Sequence, residues 1–545
     1  MKQPYYKFII QKDIHFISLL LLISFLFLFP LFHLGLYESH DGSAHIARFA
    51  AYYQAFQDGQ LLPRWAGNLN FGYGTPLFIF YYPLPGYLAS IIHLFGINFE
   101  DTFKLLISAS FLTAPVTFYL WAKTLFRKEV AFVGALLYGF APYHFLDLYV
   151  RGDVAELVSF AFVPIVFWGI EKFIHEKKLM YLSIGAVAYG VLVLSHNGVS
   201  LMFSPVFAFY ALLRSKDIRT FFKSLVILFL GLLAAAWFWL PALYESKYTN
   251  AALFIGDMYK NHFPVWYELI TSPWGFGADV RTVGGLSPQI GILPLLFVLG
   301  SIFILVKQKK KDRMILGWLA ILLAAVFITL PLSTILWEKL PLLSKFEFPW
   351  RFTGLSSFSA SVLGCYFLSS LKQKKILIFV VILILAFSIP FATVKGYVTH
   401  NDAFYQEYTG TTDYHGAAST LWTAGNPSAP AKAPIEIIAG KGIITQKKRL
   451  TDVHSVIVDA KEQVTILDNT QYFPGWEAYL DGKKVPIEFQ NQQHPGLITV
   501  HVPVGKHEII TKFTESPVRL FADILSVIGV GILLTFWVGR KKFRL

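Results

Sequence analysis

Apolar runs of about 18 to 22 residues recur along this chain, and short basic clusters separate many of them. This pattern constrains the fold more than any other feature. A run of that length satisfies its own backbone as a helix and matches the hydrocarbon thickness of a bilayer. The composition agrees. With 55% hydrophobic and 15% charged residues, a chain of 545 residues has too little polar surface for a soluble protein. The expected class is a polytopic α-helical membrane protein.

The formal net charge is +13, but no basic soluble domain carries it, which argues against a nucleic-acid partner. The excess sits in runs: Lys2 to Lys12, "FRKE" at 126–129, "HEKK" at 175–178, "RSKDIR" at 214–219, "KQKKKDR" at 307–313, "KQKK" at 372–375 and "RKKFR" at 540–544. The positive-inside rule puts all of them on the cytoplasmic side. One segment tests that assignment, "PLFIFYYPLPGYLASIIHLFG" at 76–96. If it crosses the membrane, Arg127, Lys128, Lys177 and Lys178 fall outside. If it only dips into the outer face, every basic run stays inside. Its "YPLP" removes backbone donors and breaks a regular helix, which favours the dip.

The expected spans are then roughly 15–36, 103–125, 130–150, 156–174, 180–196, 199–213, 224–243, 289–306, 314–331, 353–371, 376–393 and 517–538, about twelve, with both termini cytoplasmic. The first run lacks a small-residue cleavage site and reads as a retained anchor. The lone cysteine, Cys365, lies in an apolar run, so neither a disulfide framework nor a cysteine metal site is available. Residues 1–393 form the expected transmembrane domain, with outer loops 37–102, 151–155, 244–288 and 332–352. Residues 394–516 are too polar to be membranous. "QVTILDNTQYF", "WEAYLDGKKVPIEF" and "GLITVHVPVGKHEIITKFT" alternate with period two, and Asp481-Gly482 reads as a hairpin turn. A small outer β-sandwich is expected there, after a loop-rich stretch containing "AGNPSAPAKAPIE". A last helix and basic tail, 517–545, close the chain.

Charged groups at a membrane edge are costly without water, a partner or a ligand. Three outer clusters therefore stand out. In "YESHDGSAHIARF", Asp41, His45 and Arg48 are spaced i, i+4, i+7 and share a helix face, with Glu38 just upstream. The plain alternative is that Asp41 only caps its helix. In "VRGDVAEL", 150–157, Arg151, Asp153 and Glu156 crowd the shortest outer loop; the plain alternative is a turn alone, with Gly152 as its αL residue. In "KFEFPWRF", Lys345 and Arg351 lie among aromatics; they either snorkel beside an interfacial belt or clamp a phosphate. His196 in "LSHNG" lines a cavity or bonds between helices. "YFPGW", 472–476, reads as core and turn. No P-loop, Rossmann fingerprint or HExxH is present, which argues against a nucleotide-driven machine.

An acidic first outer loop, a surface helix, a half-buried hairpin and a second acidic loop follow in an order that resembles the GT-C superfamily of membrane glycosyltransferases. "HDGSAHIARF", "NFGYGTPLFIFYYPLPGYL", "YVRGDVAEL", "FPWRF" and "YFPGWEAYLDGKKV…VPVGKHEI" also resemble YfhO-like and 6-pyruvoyl-tetrahydropterin synthase-related bacterial membrane proteins. The sequence has no histidine triad for pterin chemistry. The resemblance implies transfer of a sugar from a polyprenyl-phosphate donor to an outer glycan, lipid or protein of the cell envelope. It implies Asp41 as base, with Asp153 or Glu156 orienting the acceptor or holding Arg151. The expected phosphate ligand is Arg351 first and Arg151 second, with His45 hydrogen-bonded to Asp41. Glu38, Arg48, Lys345 and His196 complete the candidate binding set. Asp41 is followed by Gly42 rather than a second acid, which leaves metal use open; Glu38, Asp41 and Asp153 are the carboxylates that would converge on a divalent cation. The rival functions are a transporter or flippase of lipid-linked saccharides and a non-catalytic scaffold for envelope assembly.

Overall fold

The computed structural model describes residues 5–251, 256–307, 312–371, 373–413, 419–423, 425 and 427–538. The basic run 540–544 and parts of those at 307–313 and 372–375 lie outside these residues, as do the side chains of the first run. Helix occupies each of the twelve segments expected from the apolar pattern. Four helices are long and apolar enough to cross a bilayer: Phe99–Ala122, Val154–Glu176, Lys374–Phe391 and Pro517–Trp537. The number is seven if each of three bent pairs counts as one span.

Local chemistry explains these bends and starts. Lys128–Gly139 and Pro142–Arg151 meet at 45°, and Arg313–Thr329 and Pro331–Lys339 at 86°. In both, a proline without an N–H opens the second piece. Ile218–Ala234 and Ala236–Tyr248 bend by 71° at Ala235, where the sequence gives no proline warning. Asn98, Asp153, Asp217 and Asp312 each accept a backbone N–H at the start of the following helix, satisfying donors that an apolar surround would leave bare. An aromatic core of Phe118, Trp121, Tyr138, Phe167, Tyr210, Trp318 and Phe358 holds the helices together. The Lys374–Ser388 and Pro517–Val538 helices instead turn Ile378, Phe379, Ile382, Leu520, Phe521 and Ile524 outward. Such faces suit acyl chains.

The 76–96 segment divides into Leu77–Phe80 and Pro83–Leu94, parted by extended backbone at Tyr81 and Tyr82. A helix of 12 residues spans only about 18 Å, short of a hydrocarbon core of about 30 Å. It packs against the surface helix Gly42–Gln57; a Cβ on Gly86 would lie 2.8 Å from the Tyr52 ring, so only glycine allows this approach.

Eleven strands are described. β1 (Leu36–Tyr37) pairs with β2 (Tyr397–Val398) and ties the start of the first outer loop to the polar region that begins after residue 393. The rest form two antiparallel sheets. One has the order β3 (Ile435–Ala439), β6 (Val464–Gln471), β10 (Pro495–Val502), β9 (Glu488–Gln490). The other runs β4 (Gly442–Arg449), β5 (Val453–Ala460), β11 (Gly505–Phe513), β7 (Trp476–Leu480), β8 (Lys483–Val485). Val456, Val458, Ile466, Val502 and Ile509 fill the space between them. Asp481 and Gly482 have φ of 50° and 78° and join Leu480 to Lys483, the two-residue turn the sequence indicates.

The sandwich is anchored to the membrane domain. Trp65, which follows the Gly42–Gln57 helix, is fully buried against Trp476, Phe473 and Phe513. "YFPGW" thus supplies core and turn, as its composition suggests. Arg519, at the start of the last helix, binds Glu245 (Nε to Oε2 3.0 Å) and donates to the Pro474 carbonyl at 2.6 Å. Arg64 pairs with Asp523 at 2.9 Å and Glu515 at 3.3 Å. Trp65→Ala should cost about 3–5 kcal/mol, as other buried aromatic truncations do. The expected outcome is earlier protease cleavage around the sandwich in detergent, with helix content by circular dichroism unchanged.

Candidate functional site

The two acidic loops are joined through their backbones. His40 N–H donates to the Val150 carbonyl at 3.0 Å, and Asp41 N–H to the Arg151 carbonyl at 2.8 Å. Tyr37 donates its hydroxyl to the Leu148 carbonyl. Gly152 makes the approach possible. Its φ is +68°, and a Cβ there would lie 2.4 Å from Ser39 Oγ. Leu146–Arg151 is a π-helical turn, which aims Asp147 and Arg151 to one side.

Arg151 stands at the centre. Its Nη1 lies 2.5 Å from Asp147 Oδ1 and 3.1 Å from Glu156 Oε2, and its Nη2 lies 2.7 Å from Asp153 Oδ2. All four side chains are buried. Tyr143 donates to Glu156 Oε2 at 2.9 Å, and the Trp350 ring covers the guanidinium at 4.9 Å. Arg351 approaches from the other side, with Nε 3.2 Å from Glu156 Oε1 and Nη1 2.9 Å from Glu347 Oε2. Burial alone would raise the Asp153 carboxyl, but the Arg151 guanidinium beside it holds it well below the usual range. Asp153 is therefore a fixed anion that also caps the helix it starts.

Asp41 differs from these acids. It occupies the N-cap position of the Gly42–Gln57 helix, yet its side chain accepts no backbone N–H. Its carboxylate is half-buried and forms no ion pair among the described residues. Burial first, and the Asp153 charge second, raise its carboxyl above the ordinary aspartate value. The cap alternative thus holds for position and fails for chemistry. His40 Nε2, next door, reaches the Phe276 carbonyl at 3.0 Å, which brings the 244–288 piece over the site.

The other candidates fall into place around these two centres. His45 shares a face with Asp41, but its ring Nδ1 meets the Tyr81 hydroxyl at 2.5 Å; only its backbone N–H reaches Asp41. The expected His45–Asp41 side-chain bond is thus replaced by a tyrosine contact. Burial pushes the imidazole down to about 3, so it is neutral. Arg48 donates Nε to Thr412 Oγ1 at 3.2 Å and lies 4.6 Å over the Tyr81 ring. His196 accepts from Val199 N–H through Nδ1 at 3.2 Å, and its ring lies 4.9 Å from that of Tyr82. Glu38 pairs with Lys395 at 3.1 Å beside the β1–β2 ribbon. Lys345 is exposed. Neither joins the Arg151 cluster.

Among the described residues, the metal-capable side chains that come together are Asp153, Glu156 and His196, with ligand atoms within 4.8 Å, rather than Glu38, Asp41 and Asp153. They do not fit a divalent cation as arranged. Both carboxylates already face guanidinium groups. A neutral His196 that accepts at Nδ1 carries its proton on Nε2, the nitrogen 3.9 Å from Glu156.

Sequence reasoning missed Asp147, Tyr143, Glu347 and Tyr81. Two left a trace: Asp147 precedes Arg151 by four residues, and Glu347 precedes Arg351 by four, the spacing of a helical ion pair. Asp147 was hidden because the apolar run around it reads as an uninterrupted span.

A sequence profile described as "6-pyruvoyl-tetrahydropterin synthase related domain; membrane protein" matches residues 78–395. The chain belongs to this membrane-protein family. An uncharacterized protein of Lactococcus lactis subsp. cremoris (strain MG1363) is 23% identical over 249 residues, which cover 44% of this chain and 41% of that one. The chain thus spans less than half the length of this curated relative. Among solved structures, arabinofuranosyltransferase AftD from mycobacteria aligns with 69% of this chain and 26% of its own, at 14% identity and a TM-score of 0.49. The Archaeoglobus fulgidus oligosaccharyltransferase aligns with 73% of this chain and 53% of its own, at 14% identity and a TM-score of 0.40.

Arg151→Met should destabilise this membrane-protein family member by about 3–5 kcal/mol, because it leaves Asp147, Asp153 and Glu156 buried without their shared cation. Those acids would then be easier to protonate in the fold than out of it. The variant's deficit should shrink from about pH 8 to pH 5, read as the melting temperature of variant and wild type across that range.

Proposed function

We propose that this protein is a GT-C type glycosyltransferase that moves a sugar from a polyprenyl-phosphate donor to an acceptor hydroxyl on the extracytoplasmic face of the cell membrane. The observation that carries the reading is the Asp41 carboxylate. It is part-exposed and forms no ion pair among the described residues, while Asp147, Asp153 and Glu156 are each in contact with the Arg151 guanidinium. A general base needs an accessible lone pair and a carboxyl harder to ionise than usual, and Asp41 has both. The order of outer motifs and the membrane character of the family support the class of substrate.

In this reading the acceptor hydroxyl binds against Asp41, which takes its proton as the oxygen forms a bond to the anomeric carbon. The bond from that carbon to the phosphate oxygen breaks, and its electron pair leaves with the polyprenyl phosphate. A single displacement inverts the anomeric carbon. The caged Arg151 fixes the loop that carries Asp153 and Glu156 and keeps their charge from repelling the phosphate. The sandwich, held over the loops by Trp65 and Arg519, roofs the acceptor side.

The test uses the protein in nanodiscs with radiolabelled polyprenyl-phosphate sugars and envelope acceptors. Asp41→Asn should lower transfer by about 10²-fold or more and leave the melting temperature equal or higher. The sign follows from the raised carboxyl: ionised Asp41 is less favourable in the fold than in the unfolded chain, so stability is lost as pH rises through its titration, and a neutral amide avoids this. Wild-type transfer should fall on acidification, with its acid limb above the ordinary aspartate range. Near wild-type transfer by a folded Asp41→Asn sinks the reading. So does movement of the lipid across the bilayer with no new glycosidic bond, the outcome expected of a flippase.

A further inference from the structure

We infer that Arg48, rather than Arg351 or Arg151, is the cation that grips the phosphate of a lipid-linked substrate. The inference rests on the glycosyl-transfer reading and changes its phosphate ligand. Arg151 is shared by three carboxylates and Arg351 by two. Their charge is already balanced, and a phosphate there would meet Glu156 and Asp153 at hydrogen-bond range. Arg48 has no carboxylate partner among the described residues. Its contacts are Thr412, through Oγ1 and the carbonyl, and the face of Tyr81. None of these contacts is an anion. A half-buried guanidinium with no counter-ion is costly to keep, and an anionic ligand removes the cost.

Position agrees with charge. Arg48 lies seven residues after Asp41 on one face of the Gly42–Gln57 helix, about 10.5 Å along its axis. An acceptor oxygen, an anomeric carbon and a phosphate laid between base and cation span a distance of that order, given hydrogen bonds of about 2.8 Å at each end and an attack distance of about 3.3 Å. Tyr81, under the guanidinium, belongs to the 76–96 hairpin, the outer segment too short to cross the bilayer. Arg48 is thus packed against the segment read as dipping into the membrane, where a lipid phosphate can reach it. A planar guanidinium suits a phosphate oxygen. A phosphodiester donor leaves as a monoester of greater charge, so an unbalanced cation there favours the transition state more than the bound substrate.

The experiment measures binding to the full chain in nanodiscs by native mass spectrometry. The probes are undecaprenyl phosphate, undecaprenol and inorganic phosphate. Wild type and the remote variant Lys447→Ala should bind undecaprenyl phosphate equally. Arg48→Ala should bind it at least about tenfold more weakly, and Arg48→Lys should recover part of the loss while melting as wild type does. Asp41→Asn should bind as well as wild type or better, having lost a negative neighbour. Undecaprenol binding as tightly as the phosphate overturns the inference, as does inorganic phosphate matching the lipid. Unchanged binding by Arg48→Ala, with loss in a folded Arg351→Gln, also overturns it and restores Arg351. The two readings fail separately. Arg48-dependent lipid binding without sugar transfer sinks only the transferase. Transfer with a wild-type KM in Arg48→Ala sinks only this assignment.

Discussion

The ion cluster around Arg151 is the constraint on which the rest of the site depends. A buried cation shared by Asp147, Asp153 and Glu156 gains little over an apolar core, because desolvation offsets most of the attraction. Its effect is on geometry. The three acids come from a π-helical turn, a cap and the first turn of the next helix, and one guanidinium fits them in only one way. The Arg151 carbonyl then receives the Asp41 N–H, so the position of the first acidic loop follows from that of the second. Gly152 completes the link, because any side chain there would push Ser39 away.

Two further buried arginines repeat the device at the join between domains. Arg64 reaches from the first outer loop to the last helix, and Arg519 from the last helix to Glu245 and the "YFPGW" turn. Each connects segments hundreds of residues apart. Tryptophan supplies the apolar part of the same join, with Trp65 lodged among sandwich residues. An interface that combines a buried aromatic with satisfied arginines resists rocking, since movement would expose the aromatic and break charge-assisted hydrogen bonds together. The roof over the loops is in this sense a fixed part of the site.

The sequence made some of this legible and hid the rest for physical reasons. Charge placement brought Asp41, Asp153 and Glu156 to attention, because acids at a membrane edge need a cause. Period-two patterning and Asp481-Gly482 gave the sheets and one exact turn. Partner choice was legible only in part. The sequence suggests Asp153 or Glu156 as a holder of Arg151 but leaves Arg351 looking free, and tertiary packing brings Glu156 to both arginines. Glu38 looks like a member of the first cluster because it is three residues from Asp41, but β1 turns it toward Lys395. The His45 ring shares a face with Asp41 and still prefers Tyr81, a residue that lies 36 positions away and belongs to the hairpin.

The contrast between committed and uncommitted charges carries a mechanistic consequence. In the proposed reaction Asp41 begins as an anion and ends neutral, while the leaving phosphate gains one negative charge. Negative charge thus moves along a single helix face, from Asp41 toward Arg48. Asp153 keeps its charge throughout, since arginine already holds it far from its titration range. The total charge facing the buried acids is the same before and after, so the low-dielectric surround has no new ion to solvate and the loops have no cause to rearrange. A cation already neutralised by fixed acids would give the arriving charge little stabilisation. A cation held only by a threonine and an aromatic face gives it the full attraction, and this asymmetry sets the direction in which the charge moves.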